Sequence, residues 1–303
     1  MEGVPLPDER AGSYGAFTDW LNCTFSFEKS KHRKHVFFGT LFELLGPKFG
    51  PAIDRQRGFH GWTESFSLGE TGAIFACGGQ NGTGLLSLSG EACSLITEWS
   101  RFAEVMQDAF AARITRWDGA VDDYLGEHSV DMALSLYMGD QFGSGGRRPT
   151  QNQHGAWAAP DGSGRTLEVG KRENGKMLRV YEKGAQLGAR WHPWVRWELE
   201  LHRRDRVIPW AVLTEPGRYV VGAYPKALAW IQKDACRIES IRRAEQVSYE
   251  HLMDCASTQY GKLLNVAAEV EGSAAKAFER LRQAGSPKRL MHPLIDKPSE
   301  WLE

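Results

Sequence analysis

Tyr181 stands between Arg179 and Lys183, each two residues away, and Glu198 and Glu200 repeat that spacing a short way downstream. On an extended chain, residues two apart share a face. A phenol ionises near pH ~10, so it is a poor nucleophile at neutral pH. A nearby lysine, arginine or bound divalent ion stabilises the phenolate. Two carboxylates two residues apart on a strand can hold Mg²⁺ or Mn²⁺, which prefer oxygen ligands. Such an ion also neutralises a phosphodiester and the charge that builds on its oxygens. These residue types suit transesterification of a DNA phosphodiester by tyrosine. The alternative is the solvated face of an antiparallel sheet, which carries Lys, Arg, Glu and Tyr as a matter of course.

Three strands must position that group: Arg165–Lys171, Lys176–Lys183 and Pro193–Arg203. The turn Arg172-Glu173-Asn174-Gly175 joins the first two, and its Asn-Gly pair suits the positive-φ positions of a tight hairpin. In the third strand Val195, Trp197, Leu199 and Leu201 point one way, and Arg196, Glu198, Glu200 and His202 the other. In the second, Met177, Arg179, Tyr181 and Lys183 share a face. Upstream, Arg113–Asp123 reads as a strand with Asp118, Ala120 and Asp122 on one side. Asp118 sits among Ile114, Trp117 and Val121, so half-burial is expected, and a carboxylate placed there needs a partner such as Arg116 or a metal.

The rest of the chain alternates between the two periods. Phe17–Phe27, Gly61–Leu68, Ala73–Cys77 and Gly84–Ser89 read as strands. Phe38–Phe49, Glu91–Phe110 and Asp131–Phe142 read as helices. Gly78–Gly84 lacks the ending of a phosphate-binding loop and reads as a hairpin turn. Gly143–Gly164 is the longest flexible stretch and contains Arg147, Arg148 and His154. After Arg206, Val207–Thr214, Tyr224–Ile231, Lys233–Val270 and Ser273–Ala284 look helical. The expected class is α+β: a largely antiparallel sheet core with packed helices and a helical C-terminal region. Expected divisions are an arm over 1–16, a core over 17–215 and a helical region over 216–303.

Composition sets limits. The chain has 303 residues, 37 Lys+Arg against 38 Asp+Glu and a net charge of −1, which argues against bulk coating of nucleic acid but allows local patches. Its densest basic run, Lys31-His32-Arg33-Lys34-His35, is a solvated loop or a phosphate-contact loop. Five cysteines with no C-x-x-C pair argue against a zinc cage or a disulfide framework and fit a reducing cytoplasm. There is no signal-peptide pattern and no apolar run long enough for a membrane span.

The segments Thr166–Gly170, Arg179-Val180-Tyr181-Glu182-Lys183-Gly184 and Val195–Glu200 resemble the core of the Rep_trans family, rolling-circle replication initiators of plasmids and filamentous phages. Arg116-Trp117-Asp118-Gly119-Ala120-Val121-Asp122-Asp123 is similar to the family's Arg-x-Asp-x-Ala-x-Asp-Asp strand. Asp19-Trp20-Leu21 and Leu88-Ser89-Gly90 fall where the family has a strand and a Ser-Gly turn. The resemblance spans roughly residues 17 to 215. It departs at Glu168, where many members carry an aromatic.

The resemblance implies a nicking–closing enzyme of a bacterial cytoplasm with Tyr181 as nucleophile. Tyr181 attack gives a 5′-phosphotyrosyl enzyme and a 3′-OH primer, and a later attack by DNA rejoins the strand. Arg179 and Lys183 stabilise the phenolate or the phosphate. Asp118 and Glu198 hold Mg²⁺ or Mn²⁺, with Glu200 and Asp122 as further ligands. Lys31, Arg33, Lys34, Arg147 and Arg148 contact DNA. The implied partners are origin DNA with a single-stranded or hairpin segment, a host helicase and polymerase, and a second copy of the chain. Two rivals stand beside this: a non-catalytic origin-binding protein on the same fold, and a glycosidase using paired carboxylates. Tyr124, beside Asp122-Asp123, is the second candidate nucleophile.

Overall fold

A computed structural model describes residues 15–27, 34–143, 146–204, 206–231 and 249–284. Compactness divides the chain into two units, residues 1–240 and 241–303.

The first unit is built on ten antiparallel strands. β1 (Phe17–Ser26), β2 (Ala52–Asp54), β3 (Glu64–Leu68), β4 (Ala73–Cys77) and β5 (Thr83–Leu88) form its first half. β6 (Arg113–Asp123), β7 (Gln151–Gly155), β8 (Arg165–Lys171), β9 (Lys176–Glu182) and β10 (Val195–His202) form the second. They lie in one sheet, ordered β2-β3-β4-β5-β1-β6-β10-β9-β8-β7. The central strands β1 and β6 and the consecutive pair β9 and β10 come from three separate parts of the sequence, so the middle of the sheet gathers side chains from all of them.

Alternation explains one face. Trp117 and Val121 of β6, Trp197, Leu199 and Leu201 of β10, Leu178 and Val180 of β9, and Leu167 and Val169 of β8 are all buried in one core. α4 (Val130–Met138) contacts β8 and β9, and α6 (Pro216–Ala223) contacts β6 and β1. Ser129 caps α4 by accepting from Met132 N. Because α6 packs on the sheet, the boundary expected after residue 215 falls inside the first unit.

Other expectations shift locally. The expected helix Glu91–Phe110 is two helices, α2 (Gly90–Ser94) and α3 (Trp99–Asp108). The break carries the β-branched pair Ile96-Thr97, which resists helix. Helix α1 spans Lys34–Leu45 where Phe38–Phe49 was expected, and the Gly78–Gly84 stretch holds the turn between β4 and β5, as expected. The Gly-rich stretch over 143–164 contains β7, which pairs with β8 at the sheet edge. Of the turn after β8, Gly175 alone takes a left-handed conformation (φ 73°), and Arg172–Asn174 form a 3₁₀ turn. Val207–Thr214 reduces to a 3₁₀ turn at Trp210–Val212, and Tyr224–Ile231 to one at Ala229–Ile231.

In the second unit, α7 (Tyr249–Val270) and α8 (Ala274–Leu281) pack against each other. Residues 232–248 of the expected helical region lie outside the described residues. No helix among the described residues is long and apolar enough to cross a membrane.

Candidate active site

The opposite face of the central strands carries charge, and it is not solvated. Asp118 (1 % exposed), Glu200 (0 %), Glu198 (3 %), Asp122 (6 %) and Arg196 (8 %) are all buried, with Tyr181 at 9 %. That removes the reading of an ordinary water-facing sheet. Charges taken out of water need partners, and the register supplies them. On β6 and β10, Asp118 lies opposite Glu200, and Asp122 opposite Arg196. On β10 and β9, Arg196 lies opposite Tyr181, and Glu198 opposite Arg179.

The pairings are specific. Arg196 donates to both oxygens of Asp122 at 2.7 and 2.8 Å, and to Asp19 Oδ1 at 2.8 Å. Arg116 donates to Asp118 Oδ1 at 3.0 Å and Oδ2 at 2.6 Å. Its guanidinium also lies 4.9 Å from the centre of the Trp20 ring. Arg172 donates to Glu200 at 2.8 Å, and the His202 ring is 2.5 Å from the same carboxylate. Arg179 pairs with Glu198 Oε1, and the Tyr181 hydroxyl donates to Glu198 Oε2 at 2.9 Å.

Tyr181 is thus held as a neutral phenol. Burial, and then the negative charge of Glu198, push its ionisation well above the usual range of a tyrosine, and Arg196 offsets this only in part. Asp118 is pushed up to about 7 by burial and by the charges of Glu198 and Glu200, against the pull of Arg116. Glu200 goes the other way. Burial opposes its charge, but hydrogen bonds from His202 and Arg172 hold it down at about 2. Burial and the neighbouring Arg196 lower the proton affinity of Lys183.

Tyr181 opens onto a cavity of about 820 Å³. The sheet contributes Arg116, Asp118, Arg179, Arg196 and Glu198. The α2–α3 segment contributes Gly90, Glu91, Cys93, Ser94, Ile96 and Trp99, and β1 contributes Phe17, Thr18, Asp19 and Trp20. A one-turn helix that directly follows β9, α5 (Lys183–Gln186), brings in Lys183 and Gln186. Lys183 Nζ donates to Gln186 Oε1 at 2.9 Å and lies 5.7 Å from the Tyr181 ring centre.

Of the residues expected in the site, the cavity gathers Tyr181, Arg179, Lys183, Asp118 and Glu198. Glu200 and Asp122 share the buried face but do not line it. Tyr124 is outside it, its hydroxyl 3.4 Å from Asp122. Arg148 donates to the Tyr137 carbonyl and lies over the Tyr137 ring at 4.3 Å, so it secures the end of α4. Arg147 is exposed and away from the cavity. Lys31 and Arg33 lie outside the described residues, and Lys34 is the first residue of α1. Two functional residues had no role assigned from sequence: Arg196, visible only as a member of the polar face of its strand, and Asp19. A register shift between Thr18 and Trp20 in β1 brings Asp19 to Arg196.

The four carboxylates expected as ligands of a divalent ion all have partners within the protein. Asp118, Asp122 and Glu200 are each engaged by an arginine, and Glu198 by Arg179 and Tyr181 together. Among the described residues, no group of three His, Cys, Asp or Glu side chains is placed to hold a metal ion.

Residues 112–281 match the model of the replication initiation factor family, Rep_trans. The chain belongs to that family. The match contains all the charged strands of the site, extends past the expected limit near 215, and leaves the β1 residues Asp19 and Trp20 outside. Of solved structures, a rolling circle replication initiator protein from Geobacillus stearothermophilus is similar in fold. Its TM-score is 0.51 and its identity 22 %, over 62 % of this chain and 75 % of that one. No curated protein matches the chain. For this replication initiation factor, the mixed α+β architecture with one antiparallel sheet is the fold that the sequence pattern implied.

Proposed function

We propose that this replication initiation factor starts rolling-circle replication by nicking one strand of origin DNA with Tyr181. The observation that carries this is the Tyr181 hydroxyl donating to Glu198 beside a cavity that also holds Arg179, Lys183 and Arg196. As the Tyr181 oxygen bonds to phosphorus, its proton passes to Glu198 Oε2, the acceptor already in place. The P–O3′ bond breaks, and the 3′-oxygen takes a proton from water to become the primer hydroxyl. The enzyme keeps the 5′-phosphate as a tyrosyl diester, so a later 3′-OH can reverse the step without ATP.

Arg179 fixes the Glu198 carboxylate through Oε1. Arg179 also lines the cavity, where its guanidinium can meet a phosphate oxygen. Lys183 supplies a second cation over the tyrosine ring. Positive charge at the phosphate thus comes from side chains of the chain itself. The assay is supercoiled DNA carrying the encoding replicon, with open circles and an SDS-resistant protein–DNA adduct as readouts. The wild-type protein yields both, and the Tyr181→Phe protein yields neither while still binding the origin.

One observation favours a second reading. Tyr181 is nearly buried and kept neutral, as in a structural tyrosine. On that reading the protein binds the origin without cutting it, and Tyr181→Phe leaves replication intact.

A further inference from the structure

The chemistry of the nick uses one side of the cavity. Aromatic residues also line the cavity, and the nicking steps give them no role. Phe17 and Trp20 come from β1, and Trp99 opens α3. Their positions are fixed. Trp20 Nε1 donates to Asn22 Oδ1 at 2.8 Å, and β1 is held to β6 by pairing Trp20 with Asp118. Trp99 packs edge-on against Phe102, with ring centres 5.5 Å apart. The cation of Arg196 lies 5.1 Å from the Phe17 ring centre. Trp20 and Trp99 are both only partly buried, although each is anchored in this way.

A volume of about 820 Å³ is far more than a phosphate group occupies, and lies in the range of pockets that enclose whole small molecules. Aromatic rings beside cations match a nucleotide, with a π-face for the base and cations for the phosphate. Single-stranded DNA binds proteins by this combination, and stacking tolerates any sequence because every base has a π-face. Base pairing hides that face inside a duplex, so the rings can act only on an unpaired residue.

From this we propose that Trp20 and Trp99 form a stacking platform for one unpaired nucleobase next to the phosphate that Tyr181 attacks. The platform fixes the strand so that the phosphorus lies at the tyrosine oxygen. The proposal rests on the nicking reading for the placement of the phosphate, but its test does not depend on cleavage.

The probes are a fluorescein-labelled twelve-nucleotide oligothymidylate and an abasic deoxyribose-phosphate oligomer of equal length and charge. Binding to the full-length chain is measured by anisotropy. Wild-type protein binds the oligothymidylate tighter than the abasic oligomer by about tenfold or more, the range of one base–aromatic stack. In Trp20→Ala that ratio falls toward one while affinity for the abasic oligomer is unchanged, and Trp20→Phe restores most of the ratio. Trp99→Ala gives a second reading of the same platform if Trp20→Ala does not fold. Equal wild-type affinity for the two oligomers overturns the platform, because no base is then held. A ratio that survives in folded Trp20→Ala and Trp99→Ala proteins also overturns it, by placing the stack elsewhere. Base discrimination lost in Trp20→Ala, in a protein that forms no adduct with its replicon, keeps the platform and removes the nicking reading instead.

Discussion

The Tyr181 hydroxyl and Glu198 Oε2 lie 2.9 Å apart as diagonal neighbours on adjacent strands. Backbone register therefore sets the proposed nucleophile beside the group proposed to take its proton. Arg179, directly opposite Glu198, holds the other carboxylate oxygen. A base with one oxygen fixed and the other on the phenol is a positioned proton acceptor.

Glu198→Gln tests that role. The amide keeps the size of the side chain and can still accept from Tyr181, but it is a far weaker base. Adduct formation is expected to slow by about 10²–10⁴-fold, with single-strand affinity changed little. Single-turnover kinetics on a nicking substrate measure it. An unchanged rate would mean that the phenol loses its proton to another group.

Asp118 gives a pH signature. Its carboxyl rises from an ordinary 3.8 to about 7 in the folded protein. A raised value means that the native state holds the proton more tightly than the unfolded chain. The associated stability is complete below about pH 4 and is lost as pH rises through about 7, by an amount on the order of 4 kcal/mol. Glu200, held at about 2, acts in a separate window, losing stability as pH falls from its ordinary 4.5. Urea unfolding from pH 4 to 8 should show a decline that flattens in Asp118→Asn. An equal decline in the variant would assign the effect to another group.

Arg196 ties β10 to β6 and to β1 through Asp122 and Asp19. Arg196→Ala leaves two carboxylates without their cation, one of them buried, and should destabilise by about 3–5 kcal/mol. Arg196→Lys keeps the charge but not the paired hydrogen bonds to Asp122, and recovers only part of the loss. Denaturant midpoints for the three proteins decide it.

Gly119 sits where α6 meets the sheet. A Cβ there would fall 2.3 Å from the Trp117 ring and 2.8 Å from Val220. Trp117 cannot swing away freely, since its Nε1 donates to Thr18 Oγ1 at 3.0 Å. Gly119→Ala is expected to cost about 1–3 kcal/mol through overpacking, read as a lowered Tm with the circular dichroism spectrum retained.

The strands themselves were legible because β9 and β10 alternate cleanly. Their polar face was not legible as a buried one, since Arg196-x-Glu198-x-Glu200 has the same period whether water or protein covers it. The residues that share its cavity come from elsewhere: β1, and the α2–α3 segment, whose break the apolar spacing through Leu95, Trp99 and Phe102 conceals. Partner choice depends on register, so the pairing of Asp118 with an arginine two residues away, and of Glu198 with one on the next strand, was not legible. Asp19 reaches the site through a local shift in strand pairing that no residue type announces. β7 carries no apolar alternation, because Gln151–Gly155 is exposed and polar, and only backbone pairing with β8 makes it a strand.

The most direct measurement is the site of covalent attachment. Wild-type protein is incubated with single-stranded replicon DNA, the adduct is digested with nuclease and trypsin, and the nucleotide-bearing peptide is identified by mass spectrometry. Cleavage after Arg179 and Lys183 releases Val180-Tyr181-Glu182-Lys183, and the nucleotide is expected on this peptide. A nucleotide on the peptide containing Tyr124, or no adduct from a protein that binds its origin and supports replication, would contradict Tyr181 as the nucleophile.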